Sequence, residues 1–207
     1  MKTISFLSQK GGTGKTTLCV HLAVAAERAG KSAVILDLDP QASSTAWKDN
    51  RSDETPVTVS LQFSRLGQTL SASSQSGAAV AFIDSAPHSD QVAMAAAESA
   101  DLILIPCRAG ILDIRAIAMT AKIAKLAGKP AFVVLNALPP QAASLIAEAR
   151  DAVALHGLEL APVTIHQRAA YAHSLIDGHV AMEFEPKGKA AAEMTELYQW
   201  LAKLVKI

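Results

Sequence analysis

Six short apolar runs rich in β-branched residues and leucine punctuate this chain, at 3–7, 33–38, 57–61, 80–83, 102–106 and 132–136. Between and after them apolar residues recur at helical spacing, which predicts helices at 15–29, 43–48, 91–98, 111–126, 142–155 and 190–205. Strands apolar on both faces, separated by helices, predict an α/β fold: a mostly parallel, doubly wound sheet flanked by helices in one domain spanning 1–207. The stretch 51–76 carries the weakest pattern, and its Ser/Gln-rich part, 68–77, reads as a polar loop or a frayed helix. No internal repeat and no linker is visible.

Composition narrows the class. A chain of 207 residues that is 50% hydrophobic and 18% charged can bury one sizeable core. No apolar run approaches the roughly eighteen residues of a membrane span, and no basic stretch precedes an apolar signal-like segment, so a cytoplasmic protein is expected. Its net charge of +0 gives no global attraction to nucleic acid or membrane, so any such binding needs a local patch. Cys19 and Cys107 lack C-x-x-C spacing and read as reduced, buried thiols. His166, His173 and His179 lack a ligand constellation and read as core or surface histidines.

The densest chemistry follows the first apolar run: Lys10-Gly11-Gly12-Thr13-Gly14-Lys15-Thr16-Thr17. Glycines at a strand-to-helix turn let backbone N–H groups converge on phosphate at a helix N-terminus. Gly14-Lys15-Thr16 fits the ordinary phosphate-binding loop, although Gln9 stands where the first glycine usually falls. Gly11 to Thr17 are therefore the candidate nucleotide-binding residues. Lys15 is placed along the β- and γ-phosphates, and the Thr16 hydroxyl on Mg²⁺. Lys10 is a second cation at the loop entrance, available to a neighbouring subunit's phosphates in the manner of an arginine finger.

The pattern K-G-G-T-G-K-T-T resembles the deviant Walker A signature of the ParA/MinD family of dimerising ATPases, and two later motifs extend that resemblance. Ile35-Leu36-Asp37-Leu38-Asp39-Pro40-Gln41 resembles the family's D-x-D-P-Q segment, which implies that Asp39 orients the attacking water and Asp37 sits in the hydrated Mg²⁺ shell. Val80-Ala81-Phe82-Ile83-Asp84 has the Walker B form, with Asp84 holding Mg²⁺ through water. The family often continues D-x-P-P, whereas this chain continues Ala86-Pro87-His88. The resemblance also implies ATP as substrate and places Asn136 over the adenine, against the alternative of a strand-capping asparagine.

In the second half, Glu185-Pro186-Lys187-Gly188-Lys189 resembles a D-P-R-S-R-G segment whose basic residues contact DNA in ParA-type partition proteins, and Arg168 falls in another such segment. The alternative reading makes Lys187 and Lys189 solvated loop charges. The D-P-Q-A-S-S-T-A-W-K stretch at 39–48 is most similar to short, ParF-like partition ATPases, and with so few residues before the loop no N-terminal DNA-reading helix-turn-helix is expected.

The resemblance implies a homodimer on ATP binding, nonspecific DNA of the nucleoid as a partner, and a ParB-like, centromere-binding or adaptor protein that stimulates slow turnover. A MinD-like membrane-directed regulator is the competing expectation. Leu197, Leu201, Leu204 and Val205 form a C-terminal apolar stripe, but Glu193 and Glu196 accompany Lys203 and Lys206, so no stable membrane anchor is expected. A metabolic enzyme of related fold has no evident use for Lys10. A tyrosine autokinase would need more than Tyr171 and Tyr198, and nothing around Cys107 resembles the cluster loops of nitrogenase iron proteins.

Overall fold

All the apolar runs become strands of one sheet. The computed structural model describes residues 1–87 and 89–207, the side chains of Ile111, Leu112, Ile114 and Arg115 excepted. The strands are β1 Lys2–Phe6, β2 Ala33–Asp37, β3 Val57–Ser60, β4 Val80–Asp84, β5 Leu102–Arg108, β6 Ala131–Asn136 and β7 Glu159–Leu160, in the order β3-β2-β4-β1-β5-β6-β7. Every pairing is parallel. The helices are α1 Lys15–Arg28, α2 Ser43–Asp49, α3 Leu66–Gln75, α4 Asp90–Glu98, α5 Ile111–Ala127, α6 Ala143–Ala154, α7 Ala169–Ile176, α8 Ala181–Phe184 and α9 Lys189–Val205.

Strand alternation divides the core into two layers. Ile4, Phe6, Ile35, Val80, Phe82, Leu102 and Leu104 point to the layer filled by α1 and α9, whereas Val34, Leu36, Ala81, Ile83, Ile103 and Ile105 point to the layer filled by α4, α5 and α6. Helix α1 is buried without a break from Leu18 to Ala26, as expected of a helix apolar on all sides. The C-terminal stripe packs into the first layer through Met194, Leu197, Leu201 and Val205, and only Leu204, 42% exposed, turns outward. No helix among the described residues is long and apolar enough to cross a membrane.

The weakly patterned stretch folds after all. Edge strand β3 is followed by a 3₁₀ turn at Phe63–Arg65 and by α3, in which Leu66 is the buried residue. A helix that buries one side chain leaves no apolar period to read. The elements β7, α7 and α8 were also unread, because runs of two, eight and four residues are shorter than the window that periodicity needs.

One buried histidine ties the loop-bearing helix to the C-terminal part. His21 Nδ1 donates to Thr17 O at 2.7 Å and its Nε2 accepts from Ala181 N at 3.0 Å, which fixes the neutral tautomer. Burial pulls its pKa down to about 4, against weaker opposing effects of the Thr17 carbonyl and Glu183. A histidine that titrates lower when folded contributes stability that is complete above its unfolded pKa, near 6.5, and is lost as pH falls toward 4. Wild type is therefore expected to lose about 3 kcal/mol relative to His21→Gln between neutral pH and pH 4, read from denaturant midpoints of both proteins. Parallel pH profiles would contradict the assignment.

Candidate functional site

Parallel strands end together, and the site is built where they do. In register, Phe6 and Asp37 both pair with Asp84, so the loop after β1 and the two strand-end carboxylates meet at the sheet's carboxyl edge. Next to them, β5 ends at Arg108, the register partner of Asn136 at the end of β6. A cleft of ≈ 810 Å³ opens over this edge, within the range of small-molecule sites. Gly11 to Thr17, Asp39, Ser43, Pro87, Arg108 and Asn136 line it on the loop side. The segment from His166 to Tyr171 faces them across the cleft.

The loop adopts backbone that its glycines permit. Gly12 has φ 70° and Gly14 φ 101°. A Cβ on Gly14 would also run into the Asn136 side-chain amide. Gly14 caps α1 without any side-chain acceptor, so the first amides of α1 face the cleft unclaimed, as an anion nest requires. Lys15 is 6% exposed and its Nζ lies 3.3 Å from Ser8 O and 3.5 Å from Lys10 O, a cation folded along the loop. Burial lowers its pKa, while Asp84 and Asp39 pull it back up.

Lys10 takes a different course. Its Nζ stands 2.6 Å from Asp113 Oδ1 in the first turn of α5, outside the directions of an aligned hydrogen bond, and its side chain remains 43% exposed. Asn136 braces the loop: its Nδ2 donates to Thr13 O at 2.8 Å and its Oδ1 accepts from Ala137 N at 2.8 Å. A contact to a base could use the remaining N–H of that amide or the second lone pair of Oδ1.

The three aspartates differ in how far they are engaged. Asp37 has both oxygens engaged, with Oδ1 accepting from Asp39 N and Oδ2 from both Thr45 N and the Thr45 hydroxyl. Burial raises its pKa and those hydrogen bonds oppose the rise. Asp39 is half-buried on the cleft wall and accepts from Gln41 N. Asp84 takes a 2.5 Å hydrogen bond from the fully buried Ser44 hydroxyl on Oδ2, while Oδ1 is buried with no partner. Burial pushes its pKa up to about 6, opposed by Ser44 and by the Thr16 hydroxyl, which approaches without completing a hydrogen bond. Ala42 makes the turn into α2 at φ 50°, a left-handed backbone rare for alanine and typical of functional loops.

No cluster of three or more His, Cys, Asp or Glu among the described residues could hold a metal ion. Mg²⁺ keeps much of its water and binds through one or two carboxylates plus substrate phosphates. The orphaned Asp84 Oδ1, on a carboxylate that the Thr16 hydroxyl approaches, fits such an ion, whereas Asp37 already accepts three hydrogen bonds and has one acceptor site on Oδ1 left for a metal-bound water.

The residues expected to meet DNA lie at and against the first turns of α9. Arg168 lies on the cleft wall, where its guanidinium holds Glu193 at 2.5 Å through Nη2 and 3.1 Å through Nε, and Glu193 also accepts from His166 and Tyr171. Lys187 and Lys189 stand exposed at the start of α9. His88 lies outside the described residues.

Ser44, Arg108 and Asp113 were missed in the sequence. Arg108 had a usable signal, being the last residue of a parallel strand. Ser44 and Asp113 had none beyond neighbouring motifs, since their partners lie 40 and 103 positions away.

Residues 4–180 match the family model described as the CobQ/CobB/MinD/ParA nucleotide binding domain. A protein of Gloeobacter kilaueensis named Maintenance of carboxysome distribution protein A is 27% identical over 98% of this chain and 93% of its own length. A protein of the same name from Halothiobacillus neapolitanus is 25% identical over 98% and 96%. Among solved structures, the septum site-determining protein MinD of Pyrococcus horikoshii, complexed with Mg-ADP, superimposes with a TM-score of 0.79 at 19% identity, covering 98% of this chain and 96% of that one.

Proposed function

This chain belongs to the MinD/ParA nucleotide-binding family of ATPases, and from that premise we propose that it is an ATP-dependent dimerising switch that positions an intracellular cargo, binding nonspecific DNA while ATP-loaded. The observation that carries this reading is the pair of lysines on one loop. Lys15 is buried along it, within the influence of the strand-end Asp84, and Lys10 projects from its entrance, half-exposed, against Asp113 of α5.

The residues divide the work. The unclaimed amides of α1 and the Lys15 ammonium receive the phosphates of ATP, and Lys10 reaches the phosphates bound by a second copy of the chain. Asp39, on the cleft wall and not buried, accepts a hydrogen bond from the attacking water and aims it at the γ-phosphorus. Thr16 and Asp84 would hold a hydrated Mg²⁺, which would supply neutralisation of phosphate charge. Because Asp37 is tied to α2 through Thr45, a shift of the Asp39 segment on phosphate loss moves α2 as well. Slow intrinsic turnover, raised by an adaptor protein, makes the ATP dimer a timer.

The full-length relatives named for carboxysome distribution favour a protein body as the cargo class over a plasmid or chromosome. DNA is the track in this reading, and Lys187 and Lys189, exposed in each copy, double in number on the dimer. Nonspecific duplex DNA is expected to bind with ATP and neither with ADP nor without nucleotide, and to release as salt rises. Lys187→Ala/Lys189→Ala is expected to weaken binding and to reduce the salt slope by about one per lysine removed, read by fluorescence anisotropy. Absence of binding in every nucleotide state would remove the DNA track, and vesicle binding would then test the membrane-directed alternative.

A further inference from the structure

Asp37 and Asp84 end adjacent strands as register partners, so two buried carboxylates lie side by side. Consecutive residues of α2 reach both: Thr45 gives two hydrogen bonds to Asp37 Oδ2, and Ser44 takes one oxygen of Asp84 and leaves the other. A carboxylate buried to this extent normally has its oxygens paired. The unpaired one is Oδ1, and Thr16, a residue of the cleft lining, is the loop hydroxyl that approaches this carboxylate.

We propose that Ser44 is a positioning residue of the metal site, its hydroxyl occupying Asp84 Oδ2 so that Oδ1 is the oxygen presented to the water shell of a divalent cation at Thr16. The proposal rests on the reading of Asp84 as a Mg²⁺-holding residue and adds to it the oxygen used and the residue that selects it. Outer contacts of this kind orient ligating side chains, and their loss typically costs ten- to a hundredfold in metal affinity. The arrangement also makes α2 a reporter of the metal. Ser44 follows Asp39 by five positions in the same segment, so a cation that orders Asp84 orders the residues that carry the water-orienting carboxylate.

The test is a titration of Mg²⁺ against binding of a fluorescent, non-hydrolysable ATP analogue, with a parallel measurement in EDTA, on wild type, Ser44→Ala, Ser44→Cys and Asp84→Asn. Ser44→Ala is expected to raise the Mg²⁺ concentration for half-saturation by about ten- to a hundredfold, with nucleotide affinity in EDTA unchanged. Ser44→Cys keeps the volume and weakens the donor, so it is expected to fall between and to decide the matter if the alanine variant does not fold. Asp84→Asn is expected to lose the Mg²⁺-dependent gain in affinity. Wild-type Mg²⁺ dependence in both Ser44 variants, with loss in Asp84→Asn, would overturn the role of Ser44 and leave the metal site standing. Wild-type dependence in Asp84→Asn would overturn the metal site itself. An equal loss of affinity with and without Mg²⁺ in the Ser44 variants would make the residue a structural contact and overturn the proposal.

Discussion

Lys15→Ala is expected to weaken ATP binding by about two to three orders of magnitude, the cost of removing one partner from a desolvated contact between a cation and phosphate. The site concentrates this effect in one residue. Lys15 is almost fully buried, and its ammonium touches only the carbonyls of Ser8 and Lys10 among the described residues. Those carbonyls hold it along the loop, over the amides that receive the same phosphates. Stability is expected to change little, because a buried ammonium whose pKa is depressed chiefly by burial contributes little to the fold. Titration with a fluorescent ATP analogue, next to a denaturation midpoint, separates the two. Affinity within about threefold of wild type would show that the amide nest alone binds the phosphates.

Lys10→Ala is expected to behave differently on the same loop. Nucleotide affinity stays near the wild-type value, while ATP turnover and ATP-dependent association fall together, by the roughly 10³–10⁵-fold in rate that a cation supplied across an interface contributes to phosphoryl transfer. Lys10 is paired with Asp113, yet 43% of its side chain is exposed, and such pairs contribute about 1 kcal/mol or less. That is small against a charge-assisted contact to phosphate, so Lys10 can exchange Asp113 for a partner's nucleotide. Asp113→Asn is accordingly expected to leave turnover intact or raise it. Normal hydrolysis by Lys10→Ala would assign the residue to the ion pair alone.

Motifs contiguous in sequence were read correctly as to place. The loop, Asp37, Asp39 and Asp84 all lie at the carboxyl ends of β1, β2 and β4, because a parallel sheet brings strand ends to one edge whatever the side chains between them. What those residues touch was less legible. Asn136 was visible as a strand-end amide, but its bond to Thr13 spans 123 positions and no local pattern encodes it. Arg168 was noted for its charge, while the Glu193 that holds it comes from α9. The resemblance puts Asp37 and Asp84 in the same metal shell, and only the hydrogen bonds formed on folding distinguish the carboxylate with both oxygens engaged from the one with an oxygen unpaired. The sequence leaves α3 between a polar loop and a frayed helix, because its polar surface has one buried anchor, Leu66.

Nucleotide-dependent association is the step on which the proposed switch depends. Sedimentation velocity of wild type and Asp39→Ala, each with ATP and Mg²⁺ and with ADP and Mg²⁺, measures it directly. The expected result is a monomer of both proteins in ADP, a dimer of wild type in ATP that decays as ATP is consumed, and a dimer of Asp39→Ala that persists because the water is no longer oriented. Monomers throughout, or an Asp39→Ala protein that hydrolyses ATP and dissociates like wild type, would contradict it.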